Sequence, residues 1–600
     1  MPKRTVFVTA LFLALLPGVG FGQEPRTERP PGFVGPSYGH PRATETSPDF
    51  IPVPDRWRLG LPAWNRYERP IPDVPYKPGR WWDPYNQNVL KGDFPVLGQD
   101  VFMNLSAISD TLFEARRIPT QSGASADQPD SADNFGKPDQ LFLNHNFILS
   151  LSVFKGDTAF KPRDWEFRMT GQFNFNWLHT GERGVVNADV REGTDRHEDH
   201  ASMSEFFLEY HLADLTPSYD FVSVRAGIQQ FVSDFRGFVF IDDNLGVRLF
   251  GNFASNRQQY NLVYFRPFEK DTNSGLNRLF DTRGQHVAIA NYFYQDFLVP
   301  GYTTQFSAHY LHDAGGFHVD ENGFVVRPAV IGGFAPLGDS VPKVHTIDTV
   351  YLGWTGDGHI GRLNVNHAFY QVFGRDTNNN LAGQPIDINA QMAALELSMD
   401  FDWLRPKLTF FWASGDDKPR DGRGRGFDSI LDNPNFAGGG FSYYVRQGIP
   451  LPTSSVELKG RNSLLPALRS SKIEGQPNYV NPGIFVFGIG AEMELTPKVR
   501  LLLEANKLRF HHPETLQAVL FQDRVRSDLG WDLSAGIRWR PFLIDNIIVN
   551  IGGATLIGGD GFKDIYQSHE FTFGPNGLEK RSNSRNHILY SGFLSVTLAY

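Results

Sequence analysis

In the segment from Trp165 to Trp177, Trp165, Phe167, Met169, Phe173, Phe175 and Trp177 alternate with Glu166, Arg168, Thr170, Gln172, Asn174 and Asn176. The same rhythm sets Trp531, Leu533, Ala535, Ile537 and Trp539 against Asp532, Ser534, Arg538 and Arg540. At the end of the chain, Ile588, Tyr590, Gly592, Leu594, Val596 and Leu598 fall on one face and Ser591, Ser595, Thr597 and Ala599 on the other. A period of two is the signature of a β-strand with chemically different faces. A dozen alternating residues exceed the roughly 5 to 6 of an average soluble strand and suit a tilted membrane strand of about 9 to 11. A soluble sandwich would bury such a face against a second sheet, with short strands on both sides. Here Trp and Tyr mark strand ends, as in the aromatic girdles of a bilayer-facing wall.

The start of the chain points to export. Pro2, Lys3 and Arg4 precede a mostly apolar stretch from Thr5 to Phe21, and Gly20-Phe21-Gly22 supplies small residues where a signal peptidase reads. Residues 1–22 are therefore expected to be a signal peptide cleaved after Gly22. Pro17 and the glycines interrupt this stretch too often for a membrane helix, and no later run of eighteen apolar residues occurs. The slightly polar mean hydropathy is what barrel strands produce when half their residues face water. The chain has no cysteine, which excludes disulfides, cysteine-ligated zinc, iron–sulfur clusters and thioether-linked haem. Its formal charge is −9, and loss of Lys3 and Arg4 with the leader takes it to −11, so nucleic acid is not an expected partner.

Residues 23–98 carry fifteen prolines and no sustained periodicity. They form a Pro-rich periplasmic extension that builds no core of its own. Its aromatic end, WWDPYNQNVLKGDFPVLGQ, leaves three readings open: an extended leader, a plug, or an arm that docks a periplasmic partner. From Gln99 to Tyr600 the alternation gives eighteen strands, at about 99–116, 139–154, 165–178, 203–213, 220–231, 245–253, 257–267, 284–297, 302–312, 346–356, 359–373, 388–401, 406–415, 482–495, 499–510, 529–541, 546–558 and 588–600. Short connections such as ASN, VPG, DG and TPK occupy every second place, and the others are longer, up to 416–481. That alternation is expected of an all-β, transmembrane antiparallel β-barrel in the bacterial outer membrane, with lipid around it and both termini on the periplasmic side.

Two stretches are more specific. GIQQFVSDFRGFVF, followed by GVRLFGNF, and FFWASGDDKPRDGRGRGFDSI resemble the alginate-export family of outer-membrane porins. The matching positions are Gly227, Gln229, Asp234 and Arg236, then Ser414, Gly415, Asp416, Asp417, Pro419, Asp421, Gly422 and Phe427. The resemblance implies an eighteen-stranded barrel and an anionic saccharide, or a similar small anion, as solute. The apolar alternation up to an aromatic last residue, Tyr600, resembles the C-terminal signal of outer-membrane barrels and implies the barrel-assembly machinery as a partner.

Read from the residues themselves, Arg225, Gly227 and Gln229 share the inward phase of one strand, and Asp234, Arg236, Asp242 and Asp243 gather in the turn after it. Arg248, Arg362, Arg500, Arg538 and Arg540 also fall on polar phases. A guanidinium is permanently charged and forks onto carboxylates, so such residues can pass an anion from site to site. They can equally pair with lumen acids and stiffen the wall. The candidate pore-lining set is Arg225, Gln229, Asp234, Arg236, Arg248, Arg362, Arg500 and Arg538. RHEDH, with His197 and His200, reads as a solvated outer loop, and His511-His512 likewise. DNPNFAGGG and SGDDKPRDG are rich in oxygen ligands but lack EF-hand spacing. No Gly-x-Ser-x-Gly, phosphate loop or His-Glu-x-x-His occurs, so no catalytic residue, metal or cofactor is expected. The expected function is a passive porin for anionic saccharides or small anions. The alternatives are a barrel scaffold or sleeve for a partner protein and an outer-membrane hydrolase.

Overall fold

The computed structural model describes residues 79–600 apart from 123–124, 127–134, 157–161, 217, 219, 330–341, 453, 567–570, 575–576 and 581–586. The expected signal peptide and residues 23–78 of the Pro-rich extension lie outside the described residues. Eighteen strands form one closed antiparallel barrel: β1 (Val101–Arg117), β2 (Asp139–Lys155), β3 (Trp165–Thr180), β4 (Asp195–Asp214), β5 (Phe221–Val232), β6 (Ile241–Phe253), β7 (Gln258–Arg266), β8 (Gln285–Tyr294), β9 (Tyr302–Asp313), β10 (Ile347–Ile360), β11 (Leu363–Asn379), β12 (Gln384–Met399), β13 (Leu404–Ala413), β14 (Ile484–Thr496), β15 (Val499–Phe510), β16 (Asp528–Trp539), β17 (Ile547–Gly558) and β18 (Ile588–Ala599). Each strand pairs with its sequence neighbours, and β18 returns to β1 with Ala599 opposite Ile108 and Ser591 opposite Arg116. Closure leaves no open sheet edge along that seam, where hydrocarbon would leave peptide groups unsatisfied.

Every expected strand is present, and the differences lie at the ends. β4 begins at Asp195, so RHEDH is part of a strand and not of a loop; its five residues pair with the stretch from Asn174 to Leu178 of β3. Outside the bilayer a strand needs no apolar face, and charged residues on both of its faces hide the period. Connections at one end are short, including 254–257, 361–362, 400–403 and 497–498, while the other end carries 118–138, 267–284, 314–346, 414–483 and 559–587. The short end, which holds the C-terminus, is the periplasmic side. Outward residues such as Phe147, Leu149, Phe173, Leu208, Val247, Leu352, Ile489, Leu533 and Leu594 are exposed. They form the lipid-facing wall that sets the barrel in the bacterial outer membrane.

The inner face is not uniformly polar. Toward the long-loop end it carries Tyr351, Tyr370, Phe411, Val486, Leu508, Leu556 and Leu589, all buried. They pack on Tyr443, Leu464, Leu465, Leu468 and Tyr479 of segment 414–483, which folds back into the barrel and fills it as a protein core. Phe593 also points inward, 5.5 Å from Phe441 of the same segment. A second in-folded segment, 233–240, supports it: Ile430 donates its N–H to the Val239 carbonyl at 3.1 Å, Asn433 to Gly237 at 3.0 Å and Asn435 to Arg236 at 3.1 Å. These bonds tie the two in-folded segments together and satisfy backbone groups of both.

Candidate functional site: an arginine-rich lumen

The neck of the insert is built by the stretch that begins at Ser414. Ser414 Oγ donates to the Arg425 carbonyl at 2.7 Å, Phe427 N–H donates to the Ser414 carbonyl at 2.8 Å, and Asp416 accepts the Lys418 N–H at 2.9 Å and Arg425 Nη1 at 3.2 Å. Asp234 plays the matching part in 233–240. Its buried carboxylate accepts N–H groups of Arg236, Gly237 and Phe238 at 2.8, 2.6 and 3.1 Å and the Tyr370 hydroxyl at 2.9 Å. Both resemblance motifs therefore turn a loop inward. Gly227, in the strand leading to the second, has φ +129°, and a Cβ there would sit 2.2 Å from the Phe206 carbonyl oxygen, so only glycine fits.

The insert then delivers basic residues to the lumen beside β1. Ser442 Oγ and the Tyr443 N–H donate to Asp532 of β16 at 2.6 and 3.1 Å. That anchors helix α1 (Tyr443–Arg446), which ends on Glu114 of β1. The fully buried Glu114 carboxylate accepts Arg446 Nε and Gln447 Nε2, each at 2.7 Å, and lies 3.6 Å from Arg116 Nη1. Phe142 of β2 is flanked by two guanidiniums, Arg116 at 4.9 Å and Arg461 at 5.1 Å from the ring centre. Among the described residues, the exposed Arg461 guanidinium has neither an ion pair nor a hydrogen bond. Arg196 of β4 donates to Asn176 Oδ1 at 3.3 Å, and its buried Nε has no partner in the described structure. Arg116, Arg446 and Arg461 thus surround the single carboxylate Glu114, leaving an excess of positive charge.

Beyond α1, a cavity of ≈ 480 Å³ is lined by Arg236, Lys407, Arg446, Arg500 and Arg538 and by Asp110, Glu396, Glu492 and Glu504. Arg236 pairs with Glu396 at 2.7 Å, Lys407 with Glu492 at 3.2 Å, and Arg500 with Glu492 at 3.6 Å. Arg538 stands opposite Arg500 across β15 and β16, and no carboxylate among the described residues pairs with it.

The remaining expected residues are dispersed. Arg225 forks onto Glu209 at 2.9 and 2.5 Å and lies over the Phe207 ring at 4.2 Å. Arg248, opposite Arg225 in the β5–β6 register, donates to Asn261 at 2.8 Å and stacks at 4.5 Å on Phe250. Gln229 is buried and donates to the Gly246 carbonyl at 3.2 Å. Arg362 lies in the short turn between β10 and β11, donating to the Asp400 carbonyl at 3.4 Å. Asp242 and Asp243 belong to β6, where Asp242 accepts Lys270 Nζ at 2.6 Å. Periodicity could not single out Arg116, Arg446 or Arg461. Arg116 ends a strand, and the other two sit in an insert with no period; the visible clue was Glu114 on an inward phase, a carboxylate in need of a cation.

No protein-family model matches the chain, and no curated protein matches it. Among solved structures, OccK7 (OpdD) of Pseudomonas aeruginosa is similar at 10% identity and TM-score 0.43, covering 83% of this chain and 98% of that one. The BenF-like porin from Pseudomonas fluorescens Pf-5 is similar at 8% identity and TM-score 0.42, with the same coverage. OccK2 (OpdF) of P. aeruginosa in complex with glucuronate is similar at 11% identity and TM-score 0.40, over 82% of this chain and 97% of that one.

Proposed function

We propose that the barrel is a passive porin that admits small anionic solutes, with acidic saccharides as the favoured class. The observation that carries this reading is the local charge imbalance beside β1, where Arg116, Arg446 and Arg461 face one carboxylate, Glu114. In a narrow lumen, fixed charges of one sign raise the local concentration of the opposite ion. Arg538, which pairs with no carboxylate among the described residues, extends the same bias into the cavity beyond. The saccharide part rests on the resemblance of the Gly227–Arg236 and Ser414–Phe427 stretches to alginate-export porins, together with the polar wall of Asn144, Asn146, Gln172 and Asn174, whose amides hydrogen-bond one another at 2.7 to 3.3 Å. Planar-bilayer recording tests both parts. A salt gradient should give a reversal potential toward the anion limit, and an acidic hexuronate oligomer should block the current at concentrations where a neutral oligomer of equal length does not. Cation preference would refute the first part, and equal block by the two oligomers the second.

A further inference from the structure

The last part of the Pro-rich extension is held at the seam of the barrel. β1 runs past the end of β18: Tyr600 and Ala107 exchange backbone hydrogen bonds at 2.8 and 3.2 Å, which leaves residues 101–106 of β1 without a β18 partner. Residues 90–97 take that place. The Leu105 N–H donates to the Leu90 carbonyl at 2.7 Å, Lys91 bridges to Asn104, and the Val96 N–H donates to the Val101 carbonyl at 2.8 Å. Upstream, a compact loop is tied together by the buried Asn88, whose amide donates to the carbonyl of Trp81 at 2.9 Å and to the Tyr600 hydroxyl at 3.1 Å. Tyr600 also donates to the Trp81 carbonyl, and Lys91 Nζ sits 4.0 Å from its ring centre.

This loop lies on the lipid side of the wall. Pro84 and Tyr85 share a groove with Ala107, Phe147 and Leu598, and Phe147 and Leu598 belong to the outward, lipid-facing phase. Trp81, Trp82 and Tyr85 are nevertheless 65, 54 and 62% exposed, and the Arg80 guanidinium stands 5.1 Å from the Trp82 ring centre. Three large aromatic rings and a cation, fixed at the periplasmic rim and continuous with a lipid-facing surface, match the chemistry of the bilayer interface, where rings meet the acyl boundary and cations meet phosphate.

We propose that residues 80–85 are an interfacial anchor, with Trp81, Trp82 and Tyr85 inserted among inner-leaflet phospholipids beside the β1–β18 seam. Residues 79–98 then run along the outer rim of the barrel and not through its lumen. The absence of cysteine makes the test direct. Trp81→Cys, Trp82→Cys and Tyr85→Cys would each carry a nitroxide in the protein reconstituted in phosphatidylethanolamine/phosphatidylglycerol vesicles, with folding checked by heat-modifiable gel mobility. Leu594→Cys serves as the lipid reference and Lys498→Cys, on an exposed short turn, as the water reference. Collision with oxygen should exceed collision with a water-soluble nickel chelate several-fold at two or more of the three positions, as at Leu594. Nickel accessibility equal to that at Lys498 would overturn the proposal in favour of an aqueous loop. Protection from both reagents would overturn it in favour of a protein covering, whether upstream chain or a partner.

Discussion

Replacing Arg461 by Gln isolates the charge on which the proposed selectivity depends. The Arg461 guanidinium makes no ion pair or hydrogen bond among the described residues, and Glu114 keeps Arg446 at 2.7 Å, so the substitution removes a charge without stranding a buried acid. Arg461 is exposed, packed over the buried Phe142 ring at 5.1 Å, so an ion in the lumen can approach its guanidinium to about 5 Å. At about 5 Å in a medium as polar as water, one unit charge acts on another with about 0.8 kcal/mol, and more where the wall lowers the dielectric. That is about fourfold in the local population of an anion, with the opposite effect on a cation. The anion-to-cation permeability ratio of Arg461→Gln should therefore fall on the order of tenfold in dilute salt, and less above about 0.1 M, where the screening length is about 10 Å. Reversal potentials in a stepped potassium chloride gradient measure this directly. Arg362→Gln, in the short periplasmic turn, is the control and should leave the ratio unchanged. Equal reversal potentials for wild type and Arg461→Gln would refute the reasoning and reduce Arg461 to a bystander.

Asp532→Ala removes the acceptor of Ser442 Oγ and the Tyr443 N–H, a loss of about 3 kcal/mol from the anchor of α1; single-channel conductance should rise and become noisier, and an unchanged trace would show that the insert is held elsewhere. Tyr600→Ala removes the ring under Lys91 and the hydroxyl bonded to Asn88, and should lower the heat-modifiable folded fraction while leaving the conductance of folded barrels unaltered. In the outer loops, burial, reinforced by a hydrogen bond to Asp271, pushes the Glu321 carboxyl up to about 7. A carboxyl raised on folding stabilises the fold while protonated, and that contribution is lost as pH rises from its unfolded value of about 4.5 through 7. Hydrogen-exchange protection of 267–284 and 314–329 should therefore be higher at pH 5 than at pH 8, and Glu321→Gln should flatten the difference.

The barrel was legible because a bilayer imposes one rule on every outward position it touches, and Trp165, Phe167 and Met169 show that rule without reference to any neighbour. Where the rule lapses, so did the reading. Residues 195–202 of β4 stand clear of lipid and carry charge on both faces, so periodicity alone starts the strand at 203. Leu589 and Phe593 break the polar phase of β18 because their neighbour is the folded insert and not water. The arginines were visible as inward charges, but their partners depend on register. Glu209 faces Arg225 only once β4 and β5 are aligned, and that pairing decides that Arg225 is neutralised while Arg538, opposite Arg500, is not. Arg446 and Arg461 were beyond reach, since nothing in an aperiodic stretch says that it enters a barrel.

The division of labour at Glu114 constrains how such a protein can change. Its carboxylate is rooted in the wall, whereas Arg446, the closest of its cationic neighbours, arrives on an insert continuous with the wall strands at 414 and 483. A lineage or an engineer exchanging the insert wholesale would leave a fully buried carboxylate without its principal counter-charge, a defect of about 3 to 5 kcal/mol. Filter and stave are thus inherited as a matched set: a new insert is tolerated only if it brings a cation to the same point, or if position 114 becomes neutral in the same step.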